Sequence, residues 1–328
     1  MFNNKTILVT GGTGSWGHEL VRQLLGANPK EIRIFSRNES NQFKMKQDFD
    51  SNPKLKFIIG DIKDKDSLLE ACQGVDYLFH LAALKHVPVC EDQPIEALKT
   101  NIIGTQNVIE AAVQSHVHKV VYISTDKASS PINFYGMTKV MGERLIIHAN
   151  TLNTKTRFVC IRGGNVLGTN GSVIHVFKKQ IQEKGKIGIT DMQMTRFFLA
   201  IEDAIKLVFK AVTDSIGGEI FVMKMPSCKI IDLANVLIKA SGKENIIVET
   251  LGIRPGEKIH ELLISEYESK NTISYDDKYF VILPSVPPQN LQDHYSQYKP
   301  INLITYSSNT GSMTQEEIAD MLKKGRFI

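Results

Sequence analysis

The sequence predicts an α/β fold: a Rossmann-type, doubly wound parallel sheet with a smaller C-terminal substrate-binding domain. Three observations carry that prediction. An apolar, β-branched-rich run at Thr6–Thr10 leads straight into glycines at Gly11, Gly14 and Gly17, a G-x-x-G-x-x-G spacing at a strand-to-helix junction. Short apolar runs then alternate with helix-spaced segments as far as about residue 165, the signature of β-α-β units. Finally, 328 residues suffice for one large domain and a smaller one, not a string of modules.

Residues 7–9 are a run of the kind buried on both faces of a parallel sheet. The glycines that follow let the chain turn sharply, approach a diphosphate and pack the next helix on the sheet, with its N-terminal amides facing the anion. Gly11, Thr13, Gly14, Ser15, Trp16 and Gly17 are therefore candidate cofactor contacts. A helical segment at 19–25 and a second strand at 31–35 come next. The end of that strand reads the adenosine ribose in a dinucleotide fold, and an acid there favours NAD. This chain has Ser36 and Arg37, and a guanidinium pairs with a 2′-phosphate, so NADP is expected over NAD. A solvated arginine at a strand end is the plainer alternative.

The third strand, 56–59, ends in Gly60-Asp61-Ile62, where Asp61 either accepts from the adenine amino group or is a loop carboxylate, with Ile62 beside it. The fourth, Tyr77–His80, runs into Leu81-Ala82-Ala83-Leu84-Lys85. The small alanines let a cofactor pass over the strand end, and Lys85 is either a ligand contact or a solvated lysine. Helical segments fall near 65–72 and 93–114.

The fifth strand, 120–123, delivers Ser124, Thr125, Asp126 and Lys127 to its carboxyl end, the edge at which open α/β sheets bind ligands. The next helix carries Tyr135 and Lys139, one turn apart on one face. That spacing predicts an ammonium that lowers the phenol's pKa and makes Tyr135 a base near neutral pH. Y-x-x-x-K recurs by chance in many helices, and Asp126-Lys127 alone could be a loop ion pair. What gives them weight is their place on the same sheet edge as the glycine loop.

Composition narrows the function classes. The net charge is +4, and lysines and arginines are spread without a run of five, so nucleic-acid binding is not indicated. The four cysteines, Cys72, Cys90, Cys160 and Cys228, lie far apart without C-x-x-C or zinc spacing, so no metal site or disulfide framework is expected. No stretch of eighteen apolar residues occurs, so no membrane span is expected and the protein reads as soluble and cytoplasmic.

Past about residue 165 the alternation loosens. Residues 201–212 have helical apolar spacing and 218–222 read as a late strand returning to the sheet. The expected nucleotide-binding domain is thus 1–165 plus about 198–224, and the substrate domain about 166–197 plus 225–328. Residues 284–298, with Pro284, Pro287 and Pro288, read as a loop or arm without periodic pattern.

Taken together, the residues resemble an extended short-chain dehydrogenase/reductase, and more narrowly the inverting UDP-N-acetylglucosamine 4,6-dehydratases of nucleotide-sugar biosynthesis. The resemblance runs over most of the chain: T-G-G-T-G-S-W-G at 10–17, A-A-L-K-H-V-P at 82–88, T-N-I-I-G-T at 100–105, S-T-D-K-A at 124–128 and P-I-N-F-Y-G-M-T-K at 131–139. Later blocks are G-N-V-L-G at 164–168, G-S-V-I at 171–174, M-T-R-F at 194–197 and R-P-G-E-K at 254–258. The resemblance implies C4 oxidation by Tyr135, helped by Lys139 and Thr125, then removal of the C5 proton by Lys127 while Asp126 protonates the departing C6 hydroxyl. The product would be UDP-2-acetamido-2,6-dideoxy-β-L-arabino-hex-4-ulose, for deoxy-amino-sugar and surface-polysaccharide synthesis. A lysine base must be neutral, so a depressed Lys127 pKa is expected. Lys85, Asn165, Arg196, Arg254 and Glu257 are the implied UDP-sugar contacts, and a homo-oligomer, dimer or hexamer, built through first-domain helices is the implied assembly. The sequence departs from the pattern at Gly163, Asn170 and His175, where the family commonly has an aromatic residue, an arginine and a proline. A UDP-sugar C4 epimerase needs the same tyrosine and lysine but not Asp126-Lys127; a regulator that binds NADP and sugar nucleotide without turnover is the non-enzymatic alternative.

Overall fold

The computed structural model describes residues 1–152, 155–168 and 172–328. Asn170 and the first residue of the G-S-V-I block, Gly171, lie outside the described residues. Strands β1 (Thr6–Thr10), β2 (Glu31–Ser36), β3 (Leu55–Ile59), β4 (Tyr77–His80), β5 (Lys119–Thr125) and β6 (Arg157–Gly163) lie parallel in the order β3-β2-β1-β4-β5-β6. The strand order reverses beside β1, so the carboxyl ends of β1 and β4 flank a crevice. Helices α1 (Ser15–Leu25), α2 (Glu39–Asp48) and α3 (Lys65–Cys72) make early crossovers. Between β4 and β5 come α4 (Val87–Asp92), α5 (Pro94–Leu98), a wider π-type turn over Lys99–Ile103, and α6 (Gly104–Gln114). Helix α7 (Phe134–Ala149) joins β5 to β6.

The sheet is buried because its strands are apolar on both faces: β1 and β4 are buried throughout. Each fully buried Ile, Leu, Val or Phe contributes about 1.5–3 kcal/mol of transfer free energy. Among the polar groups buried in this layer is His80. The His80 imidazole is bracketed by the Thr10 hydroxyl at 2.7 Å and the Thr105 hydroxyl at 3.1 Å, and burial lowers its pKa to about 3, so it is neutral.

The smaller unit holds β7 (Asn165–Val166), α8 (Val173–Lys184), β8 (Lys186–Ile189) and β9 (Thr195–Leu199). Helix α9 (Ile201–Asp214) and β10 (Ile220–Met223) return to the main sheet, where β10 pairs parallel with β6. Strand β11 (Ser227–Lys229) then pairs with β9, and helix α10 (Ile230–Ser241) helps enclose a second core with Ile174, Phe177, Leu233 and Ile318. Strand β12 (Ile247–Thr250) pairs with β8, and β13 (Leu262–Ile264) begins just after Glu261.

Two expectations for the second half change. Strands β14 (Thr272–Ser274) and β15 (Tyr279–Ile282) add antiparallel strands to the main sheet beside β10, although they lie inside the 225–328 segment assigned to the substrate domain. The pairing of β15 with β10 and of β14 with β15 supplies hydrogen bonds that no linear boundary reveals. The 284–298 segment also contains a helix, Gln289–Tyr295. Leu291 and Tyr295, one turn apart, are both buried, and the Tyr295 hydroxyl donates to Glu219 at 3.0 Å. Among the described residues no helix is long and apolar enough to cross a membrane, and Cys72, Cys90, Cys160 and Cys228 are free and buried.

Candidate active site

A cavity of about 520 Å³ opens at the carboxyl ends of β1, β2, β4 and β5. Thr13, Gly14, Ser15 and Trp16 line it where α1 begins, and Gly11 joins them in a left-handed conformation at φ +68°. A Cβ on Gly11 would come within 2.7 Å of the Ala82 backbone, so only glycine lets the first loop meet the end of β4. Gly17 does not line the cavity. It is buried in the first turn of α1 against the Gly12 backbone and sets how closely the helix approaches the loop.

Ser36 and Arg37 line the cavity with Asn38 and Asn41, and Asp61 and Ile62 face them from the end of β3. The Arg37 side chain is 55% exposed and lies 3.6 Å from the Asp61 carboxylate. Ala82, Ala83 and Lys85 form the wall beyond β4, and burial lowers the Lys85 pKa. The glycine turn, the helix N-terminus and the long cleft fit the shape and charge of a dinucleotide. The sequence did not single out Asn38 or Asn41, which also line it and carry no spacing signal as single polar residues; His86 and Thr100, also in the lining, fall inside the 82–88 and 100–105 blocks but were given no role there.

Thr125, Tyr135 and Lys139 line the inner end. Strand β5 runs two residues further than its apolar core, pairing Ser124 and Thr125 with Arg162 and Gly163. A short turn at Asp126–Ala128 then begins with the Thr125 hydroxyl accepting from the Lys127 amide at 3.4 Å and donating to Asp126 Oδ1 at 2.9 Å. Asn133 caps α7, its side chain accepting from the Gly136 amide at 2.7 Å and donating to the Gly256 carbonyl at 2.8 Å. Gly136 is required: a side chain there would run into the Lys127 carbonyl. That close approach holds Tyr135 against the 126–128 turn.

The electrostatics differ from expectation at three positions. Lys139 donates to the Ile123 carbonyl at 2.7 Å and sits 3.9 Å from the centroid of the Tyr122 ring; burial brings its own pKa down to about 7. The Tyr135 phenol is pushed up to about 12 by burial, and what pulls it back is the Lys127 ammonium and the Thr125 hydroxyl, not Lys139. Lys127 is not depressed: burial lowers its pKa, but the Asp126 and Glu261 carboxylates together overcome this and raise it. Its Nζ lies 3.1 Å from Asp126 Oδ1 and 3.4 Å from Glu261 Oε1. Asp126 is 1% exposed, and its Oδ2 and Glu261 Oε2 have no hydrogen-bond partner among the described residues.

The implied substrate residues are placed less uniformly. Asn165, Arg196, Arg254 and Glu257 do not line the cavity. Arg254 is exposed, and Glu257 caps its amide at 3.4 Å; Asn165 pairs with Phe198 in β7–β9. Arg196 is turned inward. Its guanidinium donates to the carbonyls of Thr195, Ile259 and Lys258 at 2.7, 3.0 and 2.9 Å, with Nε 3.7 Å from Glu261, so its donors are engaged within the protein and not held out toward a diphosphate. At Gly163, a Cβ would meet the Met223 and Met225 sulfurs at 3.3 and 3.7 Å, so methionine side chains occupy space next to the position where the resemblance has an aromatic ring.

Residues 7–283 match the family described as polysaccharide biosynthesis protein. A Campylobacter jejuni protein named UDP-N-acetylglucosamine 4,6-dehydratase (inverting) is 45% identical over 87% of this chain and 85% of its own length. The chain belongs to the extended short-chain dehydrogenase/reductases, in the group of the inverting UDP-N-acetylglucosamine 4,6-dehydratases. This dehydrogenase/reductase is also 40% identical to a Rickettsia canadensis protein named UDP-glucose 4-epimerase, over 100% of this chain and 98% of that one. The solved structure of Pen from Bacillus thuringiensis superposes with a TM-score of 0.91 at 39% identity, covering 98% of this chain and 99% of that one.

Proposed function

We propose that this protein is an NADP-dependent UDP-N-acetylglucosamine 4,6-dehydratase that inverts C5. The observation that carries the reading is the Asp126–Lys127 ion pair, which follows Thr125 directly behind the inner end of the cleft without lining it, Asp126 buried and Lys127 23% exposed, since an epimerase needs Tyr135 and Lys139 but no second acid and base. A nicotinamide held by the glycine loop, Ala82, Ala83 and Lys139 supplies the oxidant at C4 and returns the reducing equivalent at C6.

Tyr135 and the Thr125 hydroxyl receive the sugar O4, and it is the phenolate form of Tyr135, opposed by burial but favoured by the Lys127 ammonium and the Thr125 hydroxyl, that takes its proton. The resulting C4 ketone acidifies C5. Elimination then needs a neutral Lys127 and a protonated Asp126, whereas the structure holds them as an ion pair. One proton passing from Nζ to Oδ1 across 3.1 Å creates both reactive forms together. Lys127 then accepts the C5 proton, the C5–H electrons form the C5–C6 double bond, and the C6 hydroxyl leaves as water with the Asp126 proton. Both side chains are back in their ion-paired form, and once the reducing equivalent has added at C6 the resulting C5 enolate takes a solvent-derived proton on the face opposite the one it lost, which inverts C5.

Arg37, with Asn38 and Asn41 and no acid at the end of β2, supports NADP. Arg37→Ala is expected to weaken NADP binding roughly tenfold or more while leaving NAD affinity within about twofold, measured by titration calorimetry; equal loss for both cofactors removes the NADP assignment. A homo-oligomer has its surface in Ile95, Ile103, Met137 and Met141, exposed on α5, the adjoining turn and α7. Sedimentation of Met137→Glu/Met141→Glu as a smaller species than the parent supports that interface, and an unchanged species rejects it.

Product identity tests the main reading. Incubation with UDP-N-acetylglucosamine is expected to give a 4-keto, 6-deoxy product. The 40% identical relative named an epimerase makes the contrary outcome concrete: UDP-N-acetylgalactosamine alone rejects dehydration.

A further inference from the structure

Lys127 has two carboxylate neighbours, and the chemistry separates them. When Asp126 carries the proton destined for the C6 hydroxyl it is neutral. Glu261 is then the anion that remains beside Nζ, 3.4 Å away and 2% exposed. Its backbone is fixed on both sides: the Glu261 amide donates to the Ser308 hydroxyl at 2.9 Å, and its carbonyl accepts from the Ser308 amide at 2.9 Å. The inward-turned Arg196 lies 3.7 Å from the same carboxylate oxygen, Oε1. The other oxygen, Oε2, is buried without a hydrogen-bond partner among the described residues, an arrangement unfavourable in a purely structural carboxylate.

We propose that Glu261 is the positioning residue of the C5 base: it holds the Lys127 side chain and stabilises the ammonium that forms as the C5 proton arrives. The inference rests on the dehydratase reading above. A carboxylate does the same for the imidazolium of a Ser-His-Asp triad, where the base is oriented by a third group that never touches substrate. In the step itself the C5–H bond breaks, an N–H bond forms on Nζ, and the electron pair passes into the C5–C6 bond; Glu261 keeps its charge throughout. Arg196 thereby gains a role different from nucleotide binding, as the cation that lies 3.7 Å from Glu261 Oε1 and helps aim it at Lys127.

The charged and titratable groups facing Lys127 are Asp126, Glu261, Arg196, Lys258 and Tyr135. Removing the Glu261 charge alone should therefore let Lys127 lose its proton more readily while making it a poorer, less ordered acceptor. The test is Glu261→Gln, with Glu261→Asp as the variant that keeps the charge. Three quantities are read in the cofactor-loaded proteins: C4 oxidation of UDP-N-acetylglucosamine, C5 deuterium incorporation from heavy water, and titration of the Lys127 Nζ by NMR of 15N-lysine protein.

Glu261→Gln is expected to retain C4 oxidation, to slow C5 exchange roughly ten- to a hundredfold, and to move the Lys127 titration down by about one pH unit or more. Glu261→Asp should fall between Gln and the parent in exchange, with a titration close to the parent. Unchanged exchange and titration in Glu261→Gln overturn the inference, as does loss of C4 oxidation in the same proportion as exchange, which marks a structural role. If the Gln variant does not fold, parent-like exchange in the Asp variant overturns it equally. Absence of C5 exchange in the parent enzyme instead overturns the dehydratase reading, and the positioning role falls with it.

Discussion

At the scale of residues, the site is a contest between burial and charge. Burial raises the Tyr135 phenol to about 12 and lowers the Lys139 ammonium to about 7, yet Lys127 moves the other way because two carboxylates flank it. Replacing Lys127 by alanine is expected to leave C4 oxidation in place while abolishing C5 exchange, read from deuterium incorporation in heavy water; persistent exchange would assign the base elsewhere. Gly136→Ala tests the packing beneath that chemistry. Its methyl group would collide with the Lys127 carbonyl, so the unfolding free energy should drop by about 1–3 kcal/mol in denaturant titration, with activity reduced along with it. Most of these residues were legible because they are local: Thr125, Asp126 and Lys127 follow one strand, and Tyr135 and Lys139 share one helical face. The sign of the Lys127 shift was not, because it depends on how closely Asp126 pairs with Nζ and on Glu261, which reaches it from a distant segment. Arg196 shows the same limit, since a motif names an arginine but not the direction in which it points.

At the scale of elements, three pieces are clasped together: the end of β5, the start of α7 and the 254–261 segment. Asn133 donates to the Gly256 carbonyl at 2.8 Å, and Lys258 donates to the Ser129 carbonyl at 2.8 Å. Behind them the fully buried Arg162 on β6 donates to Glu143 of α7 at 2.6 Å and to Glu268 at 2.8 Å, while the Ser129 hydroxyl donates to Glu268 at 3.2 Å. Removing one member leaves buried charge uncompensated, so Arg162→Ala is expected to cost about 3–5 kcal/mol of stability in denaturant unfolding. The pH dependence has a definite sign. Burial would raise Glu268, but Arg162 overrides it and holds the carboxyl at about 2 against its ordinary 4.5. Its contribution is therefore complete above about 4.5 and is lost as pH falls toward 2. Melting temperature measured across that window should decline in the parent and decline less in Arg162→Ala. Sequence patterning found strands β1 to β5 from their apolar runs and α1 and α3 from their helical spacing; it did not pick out α2, whose sequence is mostly polar, or β6. It missed the helix Gln289–Tyr295, where three prolines mask a single buried pair, Leu291 and Tyr295.

At the scale of the whole molecule, the glycine-loop cleft and the Asp126–Lys127 pair lie close together because the glycine loop and the 124–127 segment end on the same edge of one sheet. That convergence followed from the alternation of strands and helices and was legible before any coordinates. The division of the chain was less so: β14 and β15 return to the main sheet by antiparallel pairing, a long-range event with no local signature. The two units nonetheless meet at the site, since Asp126 and Lys127 come from the main sheet's edge and Glu261 and Arg196 from the smaller unit. In the proposed dehydratase reaction both units contribute to one proton transfer. The decisive measurement is an NMR spectrum of the product formed from UDP-N-acetylglucosamine in heavy water. A 6-deoxy-4-ketohexose bearing deuterium at C5, with couplings of the L-arabino configuration, is the expected result. A 6-hydroxylated product with its C5 proton intact would contradict it.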